Sequence, residues 1–146
     1  MRARNGGFTL VEILIVVVIL GILAAIVIPQ FTQASTEARE SSLVSNLQTI
    51  RSQIELYKIQ HNDIPPAVDT FEAQMTKWTN LAGDVFDAPA AGLLGPYLQK
   101  VPNNPFTNGN AVTGGDWLYA IQNVTSYTFV ADDGGTSPDG TAHNAW

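Results

Sequence analysis

Glu12 is the only ionisable residue in an otherwise apolar run from Phe8 to Ile28, FTLVEILIVVVILGILAAIVI. As a helix rising about 1.5 Å per residue, the run covers roughly 30 Å, the thickness of a bilayer's hydrocarbon core. An ionised group at the bilayer centre costs about 2.5–3.5 kcal/mol on insertion scales and less near an end, so Glu12 calls for a partner. The chemistry on offer is charge pairing, not turnover. The two histidines, His61 and His143, stand in no His/Asp/Ser or metal-ligand pattern of useful spacing, and no phosphate loop or dinucleotide fingerprint occurs. The chain therefore reads as a non-enzyme.

A length of 146 residues, much of the first third apolar, supports one membrane helix and one small globular head. The formal net charge is −6, from 7 basic and 13 acidic residues. Beyond Arg2 and Arg4 the cations Arg39, Arg51, Lys58, Lys77 and Lys100 are scattered among acids, which disfavours nucleic acid as a partner. Arg2 and Arg4 flank the apolar run on its N-terminal side, so the positive-inside rule predicts a cytoplasmic N-terminus and an external head. That compartment permits disulfides, yet the chain has no cysteine.

The junction ahead of the apolar run departs from an ordinary secretory signal, whose apolar core is about 7–15 residues long. A short hydrophilic leader, MRARNGG, stops at Gly7; Phe8 opens the run and Glu12 follows four residues later. The stretch GFTLVEILIVVVILGILAAIVIPQF resembles the N-terminal signature of type IV pilins and type II secretion pseudopilins, including Gly7, Phe8, Thr9, Glu12, Gly21 and Pro29. The resemblance implies that a prepilin peptidase cuts after Gly7 on the cytoplasmic side and that Phe8 is then N-methylated. It also implies that the apolar helix is kept, first as an anchor in membrane lipid and later as a filament core. Cleavage would create a cationic amine on Phe8, and Glu12, at i+4, could neutralise that amine in its own chain or in a neighbour. The family precedent points to the neighbour as the partner that matters for assembly.

The resemblance and the residues together predict an α+β, pilin-like fold. Residues 1–7 are the leader, 8–28 the transmembrane and filament-core helix, 29–61 the amphipathic half of the same helix, and 62–146 a periplasmic head. Leu43, Leu47, Ile50, Ile54 and Tyr57 recur at steps of four and three, one helical stripe facing the head, with no turn signal before Asn62. Pro29 and Gly21 weaken the helix by about 3 and 1 kcal/mol, so the segment between them is expected to melt on assembly and to stay helical in a free subunit. In the head, a short helix is expected after an Asp69 or Thr70 cap, with Phe71, Met75, Trp78 and Leu81 on one face. DWLYAIQ and SYTFVAD, separated by NVT, read as a hairpin that a shorter strand extends into one small antiparallel sheet.

The order LYKIQHNDIPP, PYLQKVPNNPF, hairpin and Asp/Gly-rich tail is similar to the major pseudopilin of type II secretion. That subfamily implies a calcium ion in the C-terminal loop instead of a disulfide. The candidates in ADDGGTSPDGTAHNAW are Asp132, Asp133 and Asp139, because a hard cation takes roughly six to eight oxygens and Gly-permitted turns deliver carboxylates and carbonyls together. The same residues also build plain turns. Where the family usually places a further Asp before its final Trp, this chain has Ala142, His143 and Asn144; Asn144 could offer a carbonyl oxygen and His143 is a poor calcium ligand. The function implied is a homopolymer, a secretion pseudopilus, driven by a cytoplasmic ATPase and an inner-membrane assembly platform and completed by minor pseudopilins. The other reading is the subunit of a surface type IV pilus for adhesion, twitching or DNA uptake.

Overall fold

The structure is a computed structural model and describes residues 7–146. The leader and its Arg2 and Arg4 lie outside the described residues, apart from Gly7. The chain divides into two compact units, Met1–Ala38 and Arg39–Trp146.

Helix α1, Leu10–Gln60, runs unbroken through Gly21 and Pro29. In the first unit it is the one described element, and its side chains are uncovered: Leu14, Val18, Ile22 and Ile26 are 52–58 % exposed and Phe8 is 84 % exposed. By length and composition it can cross a membrane. Continuity through the Gly21–Pro29 segment follows from backbone economy, since an isolated apolar helix has nowhere else to satisfy its amides.

In the second unit α1 is the spine. Leu43, Leu47, Ile50, Ile54 and Tyr57 are all buried, as their spacing predicts. The helix ends where Asn62 and Asp63 adopt positive φ, 55° and 62°, a conformation their short polar side chains tolerate. The Asp63 amide then bonds back to the Lys58 carbonyl at 2.8 Å. His61, beside this turn, is buried and stacks on Tyr57 at 3.7 Å. Its Nδ1 donates to the Tyr57 carbonyl and its Nε2 meets the Thr79 hydroxyl at 3.0 Å, tying the helix end to the next loop.

Helix α2 is Phe71–Thr76, shorter than the sequence suggests. Phe71 and Met75 enter the core as expected, but the chain turns extended at Lys77. Trp78 therefore begins strand β1, Trp78–Thr79, paired antiparallel with β2, Val85–Phe86, and Leu81 is 56 % exposed in the turn between them. The physical reason is that Thr79 pairs with both Val85 and Leu94, a backbone arrangement unavailable to a continued helix. Asn80 accepts from the Ala82 and Asp84 amides, building the tight turn that makes this possible.

Strands β3, Trp117–Asn123, and β4, Ser126–Ala131, form the expected hairpin. Asn123 belongs to β3, and its side-chain oxygen accepts from the Thr125 amide to close the loop. The head thus holds two separate two-stranded sheets, not one extended sheet; beside the hairpin, Thr113 makes only an isolated bridge to Leu118. Trp117 and Tyr119 alternate with exposed Leu118 and Ala120, so one face of β3 supplies the core. Trp117, Tyr119, Phe129 and Phe71 pack with the α1 stripe into one cluster, with ring centroids 4.6–5.7 Å apart for the Phe71–Tyr119, Phe71–Phe129 and Trp117–Phe129 pairs. The Tyr119 hydroxyl donates to the Pro66 carbonyl at 2.6 Å and the Trp117 indole to the Pro102 carbonyl at 2.9 Å. Arg51 donates to the carbonyls of Phe129 and Trp146, holding β4 and the C-terminal turn to the spine.

Because Ile50 is fully enclosed, Ile50→Ala is expected to cost about 2–5 kcal/mol, read as a lower urea midpoint of the chain's near-ultraviolet circular dichroism in detergent. Ile59→Ala, on the same helix but 75 % exposed, is expected to stay within about 0.5 kcal/mol.

Candidate functional site

The N-terminal site is built by the first turn of α1. Thr9 is the cap residue and Glu12 stands three positions into the helix. The Glu12 amide donates to Thr9 Oγ1 at 3.2 Å, while Glu12 Oε2 accepts from both the Thr9 amide and the Thr9 hydroxyl at 2.7 Å. This reciprocal pairing is a capping box, and it satisfies two amides that a helix start otherwise leaves open. The Ile13 amide takes the Thr9 carbonyl at 3.3 Å as the first intrahelical bond. Phe8 and Ile13, the residues flanking the box, line one apolar surface with Leu10, Leu14 and Val17.

The Phe8 amine expected to pair with Glu12 arises only on cleavage; in the uncleaved chain that nitrogen is a peptide amide, and Thr9 bonds Glu12. Thr9 was therefore the residue missed. Its signal was present as the T-x-x-E spacing ahead of an apolar run. Gly7 and Phe8 are exposed and precede the helix, which starts at Leu10 and not at Phe8. Gly21 has open space where a side chain would sit, so its lack of one is not required by packing within a single chain. At Pro29 the ring removes one backbone donor, yet the helix continues, and three residues on the Thr32 hydroxyl donates to the Ile28 carbonyl at 3.2 Å.

The C-terminal loop is the second candidate. Asp132, Asp133 and Asp139 are not brought together: among the described residues no group of three acidic or histidine side chains is placed to hold a metal ion. Asp132 accepts from the Gly115 amide at 2.9 Å and Asp139 from the Thr141 amide at 2.9 Å. Asp133 is enclosed, with its side chain 1 % exposed. Its Oδ1 accepts from the Gly135 amide at 2.8 Å and from His143 Nδ1 at 2.9 Å, and its Oδ2 from Asn104 Nδ2 at 3.1 Å. Burial works to raise the pKa of Asp133, and the hydrogen bonds from Gly135, Asn104 and His143 overcome it, holding the carboxyl below its ordinary value. A shell of N–H donors stabilises a carboxylate but does not fit a calcium ion, which needs those oxygens itself. Asn144 is exposed on a short turn, His143–Ala145. Asn104 and His143 are the residues sequence reasoning did not assign; Asn104 lies 29 positions from Asp133, and no local spacing announces the pairing.

The family model for the prokaryotic N-terminal methylation motif matches residues 2–28. Among curated relatives, the type II secretion system core protein G of Pseudomonas aeruginosa PAO1 is 34 % identical over 73 % of this chain and 72 % of its own length. The Vibrio cholerae protein of the same name is 32 % identical over 72 % and 68 %, and that of Aeromonas hydrophila 30 % over 73 % and 71 %. No solved structure matches the chain significantly.

Thr9→Ala removes one side of the capping box, a loss of about 0.5–2 kcal/mol. The expected result is faster hydrogen exchange at the first-turn amides of the detergent-solubilised chain, by roughly 2- to 30-fold, with exchange at Leu47 unchanged. For Asp133 the depressed folded pKa means that its stabilisation is complete above the unfolded value, about 3.9, and is lost as pH falls through the folded value. Acid titration of head stability is expected to show this descending limb in the wild type, and Asp133→Asn to lower the plateau and flatten the limb.

Proposed function

The chain belongs to the family of type II secretion system core protein G, and from that membership we propose that it is the repeating structural subunit of a secretion pseudopilus. The observation that carries this reading is the apolar stretch from Phe8 to Ile28, uncovered along its length and carrying a single acid whose partners among the described residues are the amide and hydroxyl of Thr9. Such a helix is stable in lipid or among copies of itself, because only those surroundings cover apolar surface on every side. The role is structural; activity belongs to the machine around it.

In this reading a prepilin peptidase cuts after Gly7 and frees the Phe8 nitrogen as a cation, which is then methylated. Glu12 then has a charged alternative to Thr9. Exchanging a neutral hydroxyl for the amine of a neighbouring subunit removes net charge from an apolar surrounding, which favours the assembled state over the solitary one. The segment from Gly21 to Pro29, helical in the single chain, is where neighbouring helices could shelter an extended backbone. Arg2 and Arg4 support a cytoplasmic N-terminus and a periplasmic head. An inner-membrane platform and an ATPase drive the polymer, and minor pseudopilins share it. Relatives named for type II secretion support this over a surface type IV pilus.

The test is Glu12→Ala in cells carrying the secretion machinery. Membrane insertion and removal of the leader are expected to stay normal, while sheared filaments and exported protein fall to a small fraction of wild type. Filaments in wild-type amount would remove Glu12 from the mechanism, and a mature product lacking the apolar helix would remove the polymer reading itself.

A further inference from the structure

The C-terminal loop raises a question separate from assembly: what holds it closed. A cation would have to cross-link residues far apart in sequence. In this chain that cross-link already exists and is made of hydrogen bonds. Asp133 sits at its centre, with both carboxylate oxygens taken by N–H donors from Gly135, Asn104 and His143. Asn104, fully buried, reaches on to the Asp116 carbonyl at 2.8 Å and accepts from the Phe106 amide at 2.9 Å, so the loop before β3 is included. The His143 ring, 1 % exposed, lies 4.4 Å from the Phe106 ring and 5.1 Å from the Trp146 ring. Its backbone amide donates to the Gly135 carbonyl at 3.0 Å.

The backbone around this ring is cut to its shape. A Cβ on Gly135 would fall 2.6 Å from His143 Cε1 and Nδ1 and 3.0 Å from Asp133 Oδ1, so the glycine leaves the space that the imidazole fills. A carboxylate only accepts, so Nδ1 carries the hydrogen of the His143–Asp133 bond. Nε2 is buried without a hydrogen-bond partner among the described residues, so Nδ1 is the nitrogen through which the ring is tied. Asp132 and Asp139, the other acids of the loop, are committed to separate turns. A calcium ion would have to displace three N–H donors from an enclosed carboxylate and gather roughly six to eight oxygens in their place.

We propose that His143 replaces a divalent cation as the cross-link of the C-terminal loop, so that the head of this pseudopilin folds and stays folded without calcium. The imidazole supplies what an ion would supply, a donor that draws the Asp133 carboxylate, the C-terminal turn and the loop at Asn104 together. Unlike an ion it is carried by the chain and cannot be removed by a chelator.

The experiment is a thermal melt of the full chain in detergent, followed by near-ultraviolet circular dichroism, with millimolar calcium and with excess chelator. The melting temperature is expected to be the same in both. A calcium-dependent rise, or stoichiometric calcium binding by calorimetry to the wild-type chain, overturns the proposal; neither measurement needs a destabilised variant. A double-mutant cycle tests the cross-link itself. His143→Phe keeps a ring between Phe106 and Trp146 but removes the donor, and is expected to lower the melting temperature by at least about 4 °C in either condition. Combined with Asp133→Asn, the fall is expected to be smaller than the sum of the two single falls. Strict additivity would mean that the two side chains do not act as a pair, and would overturn the assignment.

Discussion

A helix that is apolar on every side must be covered, and nothing in its own sequence can cover it. That constraint governs the N-terminal third of this chain. From Leu10 to Ile28 the helix satisfies its own amides and so can live in hydrocarbon, but its side chains find contacts only in lipid or in other helices. The one acid in the stretch makes the choice between these surroundings energetic. Among the described residues Glu12 is stabilised by the Thr9 amide and hydroxyl, partners that carry no charge. A surrounding that brings a positive group to that position is favoured over one that does not, and the free amine of a processed neighbour is such a group.

The head solves a different problem with the other half of the same helix. Its two sheets have two strands each, too few to be stable alone, and they depend on a helical stripe to complete their core. Leu43 to Tyr57 provide that stripe, and Phe71, Trp117, Tyr119 and Phe129 fill the space against it. Polar side chains then fix the loops that such a small core leaves long. His61 ties the helix end to Thr79, Arg51 gathers the carbonyls of Phe129 and Trp146, and Asn104 links the loop before β3 to Asp133. Each of these is a long-range bond from a buried or half-buried side chain, where an unmade bond would leave a polar group without water.

The same logic explains how a head without cysteine can hold its C-terminal loop. Loop closure requires one strong contact between distant residues, and disulfides, ions and buried hydrogen-bonded pairs all supply it. Here the buried pair of Asp133 and His143 is present with its supporting donors in place and a glycine shaped to the ring. A carboxylate saturated by N–H groups is stable as an anion, and it has little left to offer a hard cation.

Much of this was legible in the chain itself, where the physics is local. Helix periodicity picked out the five buried residues of the stripe because side-chain direction repeats every 3.6 residues. The apolar run with Glu12, the turn at Asn62 and the hairpin around Val124 were visible for similar reasons of spacing and backbone preference. The T-x-x-E cap was also there to be read and shows the partner that Glu12 has before processing. Only the tertiary structure decided that Trp78 leaves α2 for a strand, since the pairing of Thr79 with Val85 and Leu94 outweighs helical spacing. Only it could separate Asp132, Asp133 and Asp139 and join Asp133 to Asn104 and His143. Acids close in sequence look like a shared site, but Asp139 turns to the amide two residues on, while Asp132 and Asp133 turn to partners 17 and 29 residues away, Gly115 and Asn104.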